Sequence, residues 1–110
     1  MMRLIALIIC VAVHTAAFGH DLWINGTRNG AGEWCCGTGD CAIMDPDTVG
    51  FTAQGYAIDG MGTISGTGAR ERYKEVVPVS EAMPSPDGAY WRCKRPDGTR
   101  RCFFAPPPNT

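Results

Sequence analysis

The sequence predicts a small, mainly β protein: a disulfide-stabilised antiparallel sheet or partly open barrel that ends in a C-terminal hairpin. Three observations lead there. Beyond the first nineteen residues Leu22 is the single leucine, and the apolar residues are mainly Val, Ile, Phe, Tyr and Trp, which suit a half-buried pleated surface. Glycine and proline, 14 and 8 of 110 residues, punctuate the chain and leave no room for a useful 3.6-residue apolar stripe. Cysteine is abundant for so short a chain, with 6 in all.

The N-terminus sets the compartment. Arg3 supplies a positive charge, Leu4 to Val13 is an apolar run too short to span a bilayer, and small residues follow. These are the parts of a secretory signal peptide, here residues 1–19, with 20–110 as one small β domain. Cleavage after Ala17 or after Gly19 fits the small-x-small rule. Export implies the periplasm or the cell exterior, where disulfides persist. Cys10 leaves with the leader, so Cys35, Cys36, Cys41, Cys93 and Cys102 remain. Five is odd, and the fullest intramolecular pairing is two bridges and one spare thiol.

The elements then follow in order. Leu22-Trp23-Ile24 reads as a short strand, and Asn25-Gly26 as a turn even though Asn25-Gly26-Thr27 matches a glycosylation sequon. Residues 41–44 (CAIM) form a strand that stops at Asp45-Pro46-Asp47. Residues 49–53 and 56–59 flank Gln54-Gly55 as a hairpin. Gly60 to Gly68 is a glycine-rich loop with a short extended piece at Thr63-Ile64. Residues 71–79 (ERYKEVVPV) are a strand with Pro78 at an edge or end. Ser80 to Met83 is one helical turn, and Ser85-Pro86-Asp87-Gly88 a reverse turn. The tail at 106–110 is an extended, mobile end.

Residues 89–95 and 99–105 form the terminal hairpin, and two registers compete for it. A three-residue Pro96-Asp97-Gly98 loop places 95 opposite 99 and therefore 92 opposite 102. The side-chain pattern instead favours 93 opposite 102. That register gathers Trp91, Cys93, Cys102 and Phe104 on one face and Tyr90, Arg92, Lys94, Arg101 and Phe103 on the other. Burying several large apolar groups at about 1.5–3 kcal/mol each outweighs one ladder bond of about 1 kcal/mol, so 93:102 is preferred.

The cysteine pairing stays open between two arrangements. A Cys93–Cys102 bridge across the hairpin is geometrically easy. Bridges from the N-terminal cysteines to the hairpin would close loops of over about 50 residues and stabilise more. In EWCCGTGDC, adjacent cysteines do not readily bond each other, so Cys35 and Cys36 have different fates. One pairs with Cys41 across the glycines, and the other reaches the hairpin or stays free. Our assignment has Cys36 with Cys41, Cys93 with Cys102, and Cys35 as the spare thiol.

Few residues can carry chemistry. The one histidine beyond the leader is His20, which excludes a Ser-His-Asp set. Gly60 to Gly68 lacks the Lys-Ser/Thr of a phosphate loop. No enzyme and no cofactor is expected. If cleavage follows Gly19, the amine and imidazole of His20 are a candidate copper site, although a second histidine is missing. Arg92, Lys94 and Arg101 mark a candidate anion-binding face, with a solvated hairpin edge as the plainer alternative. The mature part is slightly acidic, so nucleic acid is not expected as a partner. Another envelope or secreted protein, or an anionic glycan, fits better. No further membrane-spanning segment is read.

Two resemblances add to this. The strings HD-x-W after the leader, WCCG-x-GDC, VPVSEAMPSPDGAYWRC and RCFFAPPP resemble a group of short exported alphaproteobacterial proteins over His20 to Pro108. That resemblance implies cleavage before His20 and export in a Gram-negative cell, and no activity. Ser65-Gly66-Thr67-Gly68-Ala69-Arg70 followed by Tyr90-Trp91 is similar in order to periplasmic inhibitors of C-type lysozyme, with Thr67 and Gly68 interrupting the family's spacing. The expected function is thus a non-catalytic binding or envelope-associated module. The alternatives are an inhibitor of a secreted hydrolase such as lysozyme and a copper binder through His20.

Overall fold

The computed structural model describes residues 22–107. The leader, His20 and the last three residues lie outside the described residues. The protein is mainly β, with one curled sheet forming a half-barrel. Its strands are β1 (Cys41–Met44), β2 (Val49–Thr52), β3 (Gly55–Ile64), β4 (Arg70–Val77), β5 (Ala82–Pro84), β6 (Trp91–Lys94) and β7 (Arg100–Ala105). They run in the order β2-β3-β1-β6-β7-β5, and β4 lies on the other edge of β3. All neighbours are antiparallel except β5 and β7.

Strand β3 organises the sheet. It was expected to end near residue 59 and instead continues to Ile64, absorbing the first half of the glycine-rich stretch. The glycines are there for close approach rather than for looping. A Cβ on Gly60 would sit 2.5 Å from Thr48 Cγ2, and one on Gly62 3.0 Å from Met44 Sδ. One edge of β3 holds both β2 and β1, and β4 follows the other edge from Tyr56 to Thr63. In β4 the burial alternates strictly: Glu71, Tyr73, Glu75 and Val77 turn inward while Arg70, Arg72, Lys74 and Val76 are exposed.

Two short segments differ from expectation. Leu22-Trp23-Ile24 is not a strand; Trp23–Gly26 is a 3-10 turn, closed by Asn25 N–H to Leu22 O and Thr27 N–H to Ile24 O. The turn drives Ile24 fully into the core and sets Trp23 edge-on to Phe104 with ring centroids 4.8 Å apart. The helical turn near Ser80 is the 3-10 turn Val79–Glu81, and Ala82 to Pro84 then leave it as a strand beside β7.

The terminal hairpin satisfies both competing register signals. Gly98 N–H donates to Arg95 O and Arg95 N–H to Thr99 O, which is the three-residue loop that Pro96 favours. Further along, Trp91, Arg92 and Cys93 oppose Phe104, Phe103 and Cys102, which is the register that the apolar pattern favours. The difference of one residue is absorbed by a β-bulge: Cys93 faces Cys102 and Lys94 faces Arg100, so Arg101 has no partner across the ladder.

Each face of the sheet carries a core. Ile24, Cys35, Cys41, Trp91, Cys93, Cys102 and Phe104 fill the face covered by the N-terminal segment. Met44, Ile58, Val77, Phe103 and Ala105 fill the concave side, with Tyr56, Tyr73 and Tyr90 against them. The bridges are Cys35–Cys102 and Cys41–Cys93, and the thiol of Cys36 is free. This corrects the assignment made from sequence. Cys93 and Cys102 do face each other, but Cys93 also faces Cys41 across the β1–β6 ladder, and Cys35 comes over Cys102 from the N-terminal segment. Cys36 and Cys41 do not pair. The bonds span 52 and 67 residues. Loops of that size constrain the unfolded chain by about 4 kcal/mol each in the loop-entropy account, against about 2.5–3 kcal/mol for a bridge within the hairpin.

Candidate functional site

The cationic face expected on the hairpin is largely neutralised. Arg92 is 7% exposed, and its guanidinium lies 4.8 Å over the Tyr73 ring. Its Nε donates to Glu75 Oε2 at 2.5 Å and its Nη2 to Gly98 O at 3.3 Å. Lys94 meets Glu71 at 3.2 Å. The bulge gives Arg100 the place that an unbroken ladder would give Arg101, and Arg100 bridges Glu75 at 3.1 Å and Glu81 at 2.9 Å. The inward acids of β4 thus meet the cations of β6 and β7 across the hollow of the half-barrel. Burial pushes the Glu75 carboxyl up, but Arg92 and Arg100 outweigh it and hold the group below its ordinary range. The Tyr73 hydroxyl, donating to Glu71 at 2.6 Å, is pushed up by burial and by that carboxylate. Arg92 and Lys94 therefore tie β6 to β4 across the hollow of the half-barrel; they do not form an anion-binding face or a solvated edge.

Arg101 stands apart. The bulge turns it away from the hollow and toward the N-terminal segment. Its Nη1 donates to Trp34 O at 3.1 Å and lies 3.2 Å from Cys36 Sγ, while its Nε is buried without a hydrogen-bond partner. Trp34 is 50% exposed, and the Arg28 guanidinium lies 3.9 Å from the centre of its ring. A bridge between Arg28 and Trp34 and a bond from Cys35 N–H to Thr27 O hold this strip as a short ribbon.

The loop at the end of the ribbon is built around Asn29. Its Oδ1 accepts from Ala31 N–H and Glu33 N–H, and its Nδ2 donates to Glu33 Oε1 and to Arg101 O, which ties the ribbon to the bulge. Glu33 pairs with Arg95 at 2.7 Å; hydrogen bonds from Arg95 and then Asn29 lower its pKa to about 2.

Between ribbon, hairpin and the Val79–Glu81 turn lies a cleft of about 620 Å³ lined by Arg28, Asn29, Glu81, Arg95, Arg100 and Arg101, among others. Among the described residues seven of the nine Lys and Arg side chains form ion pairs. The remaining two, Arg28 and Arg101, both line this cleft. Of the predicted face only Arg101 belongs to it. Arg28, far from the hairpin in sequence, carried no signal of its own.

The other singled-out residues are placed as follows. Cys36, not Cys35, is the half-buried free thiol: Cys35 turns fully into the core, and Cys36, at φ +68°, turns the chain out toward the glycine loop. Ser65 sews its turn to the cysteine loop, accepting from Gly39 N–H at 2.8 Å and donating to Cys41 O through its own N–H at 2.9 Å. Tyr90 and Trp91 point to opposite cores. Among the described residues no group of three or more His, Cys, Asp or Glu could hold a metal ion, and no helix is long and apolar enough to cross a membrane.

Asp87, read only as a turn residue, is a hub. Its Oδ2 accepts from the indole N–H groups of Trp23 at 3.1 Å and Trp91 at 2.9 Å, and its Oδ1 from Ser85 Oγ and Ala89 N–H. Burial raises its pKa, but those hydrogen bonds prevail and hold the carboxyl low. An apolar groove of about 450 Å³ lies beside this hub, between Trp23, Met83, Pro86 and Phe104.

No protein-family model, curated protein or solved structure matches the chain.

Proposed function

We propose that the chain is a small exported protein of the periplasm or cell exterior that acts by binding rather than by catalysis, as a non-catalytic envelope-associated module. Its binding surface is the cleft between the Arg28–Trp34 ribbon and the terminal hairpin. The observation that carries this reading is the convergence of Arg28 and Arg101 on Trp34 at a cleft, while the other Lys and Arg among the described residues are ion-paired. Guanidiniums without an ion pair beside a half-exposed indole suit recognition of an anionic partner. Two disulfides are compatible with an oxidising compartment.

The test is co-sedimentation of the oxidised mature protein with isolated Gram-negative envelope material. Saturable binding, weakened by salt and lost when both Arg28 and Arg101 are changed to Glu, is the expected result. An absence of binding, or binding indifferent to the charge reversal, contradicts the reading.

A further inference from the structure

The cleft has more specific chemistry than its net charge. At about 620 Å³ it falls within the range of about 300–1,000 Å³ that holds small organic ligands, and it is far larger than a bare inorganic anion requires. Its cations are of two kinds. Arg95 and Arg100 are held by Glu33, Glu75 and Glu81, and so contribute shape more than charge. Arg28 and Arg101 form no ion pair among the described residues, and Arg101 acts on Glu33 only at longer range.

Glu81 lines the same cleft, and Oε2, the oxygen it does not give to Arg100, would accept hydrogen bonds from hydroxyls. Ser80 adds a hydroxyl on the same wall. A ligand that satisfies the cleft carries an anionic group for Arg28 and Arg101 and hydroxyls for Glu81 and Ser80.

We infer that the cleft takes an acidic oligosaccharide, with a carboxylate or sulfate seated between Arg28 and Arg101 and sugar hydroxyls meeting Glu81 and Ser80. This rests on the reading of the same cleft as the binding surface. Polyphosphates lack the hydroxyls that Glu81 would accept from, and nucleic acids are disfavoured by the acidic balance of the mature chain.

The experiment is titration of the oxidised mature protein with tri-galacturonic acid, followed by amide NMR shifts and calorimetry, with maltotriose and sodium sulfate as parallel probes. The expected result is saturable shifts at the cleft with tri-galacturonic acid, and at least tenfold weaker binding of maltotriose and of sulfate. Arg28→Gln and Arg101→Gln each weaken tri-galacturonic acid at least tenfold, whereas Arg72→Gln, on the outer face of β4, leaves it unchanged. Arg28 is on the exposed ribbon, so its variant reports on the ligand even if Arg101→Gln fails to fold. Equal binding of maltotriose overturns the anionic part of the inference, and equal binding of sulfate overturns the saccharide part. Envelope binding without any response to tri-galacturonic acid overturns this inference and leaves the proposed function standing, whereas loss of both removes both.

Discussion

Arg101 Nη1 lies 3.2 Å from Cys36 Sγ, and a one-residue bulge in the terminal hairpin puts it there. The bulge separates two sets of cations. Arg92, Lys94 and Arg100 turn into the hollow to meet Glu71 and Glu75, while Arg101 turns out to the cleft.

Deleting Arg101 therefore removes the residue that interrupts the ladder. Lys94 opposite Arg100 and Cys93 opposite Cys102 become continuous, and neither core loses a side chain. The shortened protein should fold with both disulfides, and its urea stability should fall by about 1–3 kcal/mol, the scale of the two hydrogen bonds that Arg101 makes to Asn29 and Trp34. Failure to form the bridges would show that the bulge is needed to bring the two registers together.

The pairing of Arg92 with Glu75 ties β6 to β4 across the hollow of the half-barrel. Arg92 is buried and Glu75 is partly exposed, so removing either partner strands a charge in a poorly solvated place. Arg92→Ala should cost about 3 kcal/mol, near the lower end for a broken buried pair. Arg72→Ala, whose partner Asp59 is exposed, should cost less than about 1 kcal/mol. Denaturant melts of the two variants check the contrast, and equal costs would contradict it.

Asp87→Asn replaces one acceptor oxygen by a donor that faces indole N–H groups. With Oδ2 accepting from both Trp23 and Trp91, the amide can satisfy one side of the hub only. The expected loss is about 2–3 kcal/mol, from donors left without partners. Tryptophan fluorescence should shift with it, since Trp23 and Trp91 flank the first core.

Acid should destabilise the protein in a defined window. Glu33 falls from an ordinary 4.5 to about 2, and Asp87 and Glu75 are held low as well. For groups depressed by folding, the unfolded chain binds more protons between the two pKa values, so stability rises with pH there. The contribution is complete above the unfolded values and is lost as pH falls through the folded ones. Urea midpoints should be flat from neutral pH down to about pH 5 and fall toward pH 2. Glu33→Gln should flatten part of that fall.

The fold class was legible because alternation and turn chemistry are local. The strands 41–44, 71–77 and the hairpin follow from period-two patterns and from Asp-Pro and Pro-Asp-Gly turns. The hairpin register was legible from burial, and the bulge was hidden because two correct local signals looked like a contradiction. What stayed out of reach was long-range. Cys93 has a cysteine on either side of it in the sheet, and nothing in the spacing says that β1 rather than β7 supplies its partner. Arg92 and Lys94 looked like free cations because the acids opposing them come from β4, a strand not hydrogen-bonded to the hairpin. Asp87 carried the signature of a turn, and the indoles it collects come from 64 residues before it and 4 after.

The cross-linking pattern underlies the whole arrangement: the ribbon, the cleft and the outward Cys36 all depend on the N-terminal segment being bonded to the hairpin. The most direct measurement is fragment mapping by mass spectrometry of the unreduced protein after alkylation, with backbone fragmentation between residues 35 and 36. Cys35 bonded to Cys102, Cys41 bonded to Cys93 and a single alkyl group on Cys36 is the result expected. A Cys93–Cys102 bond, or alkylation of Cys35, would contradict the account.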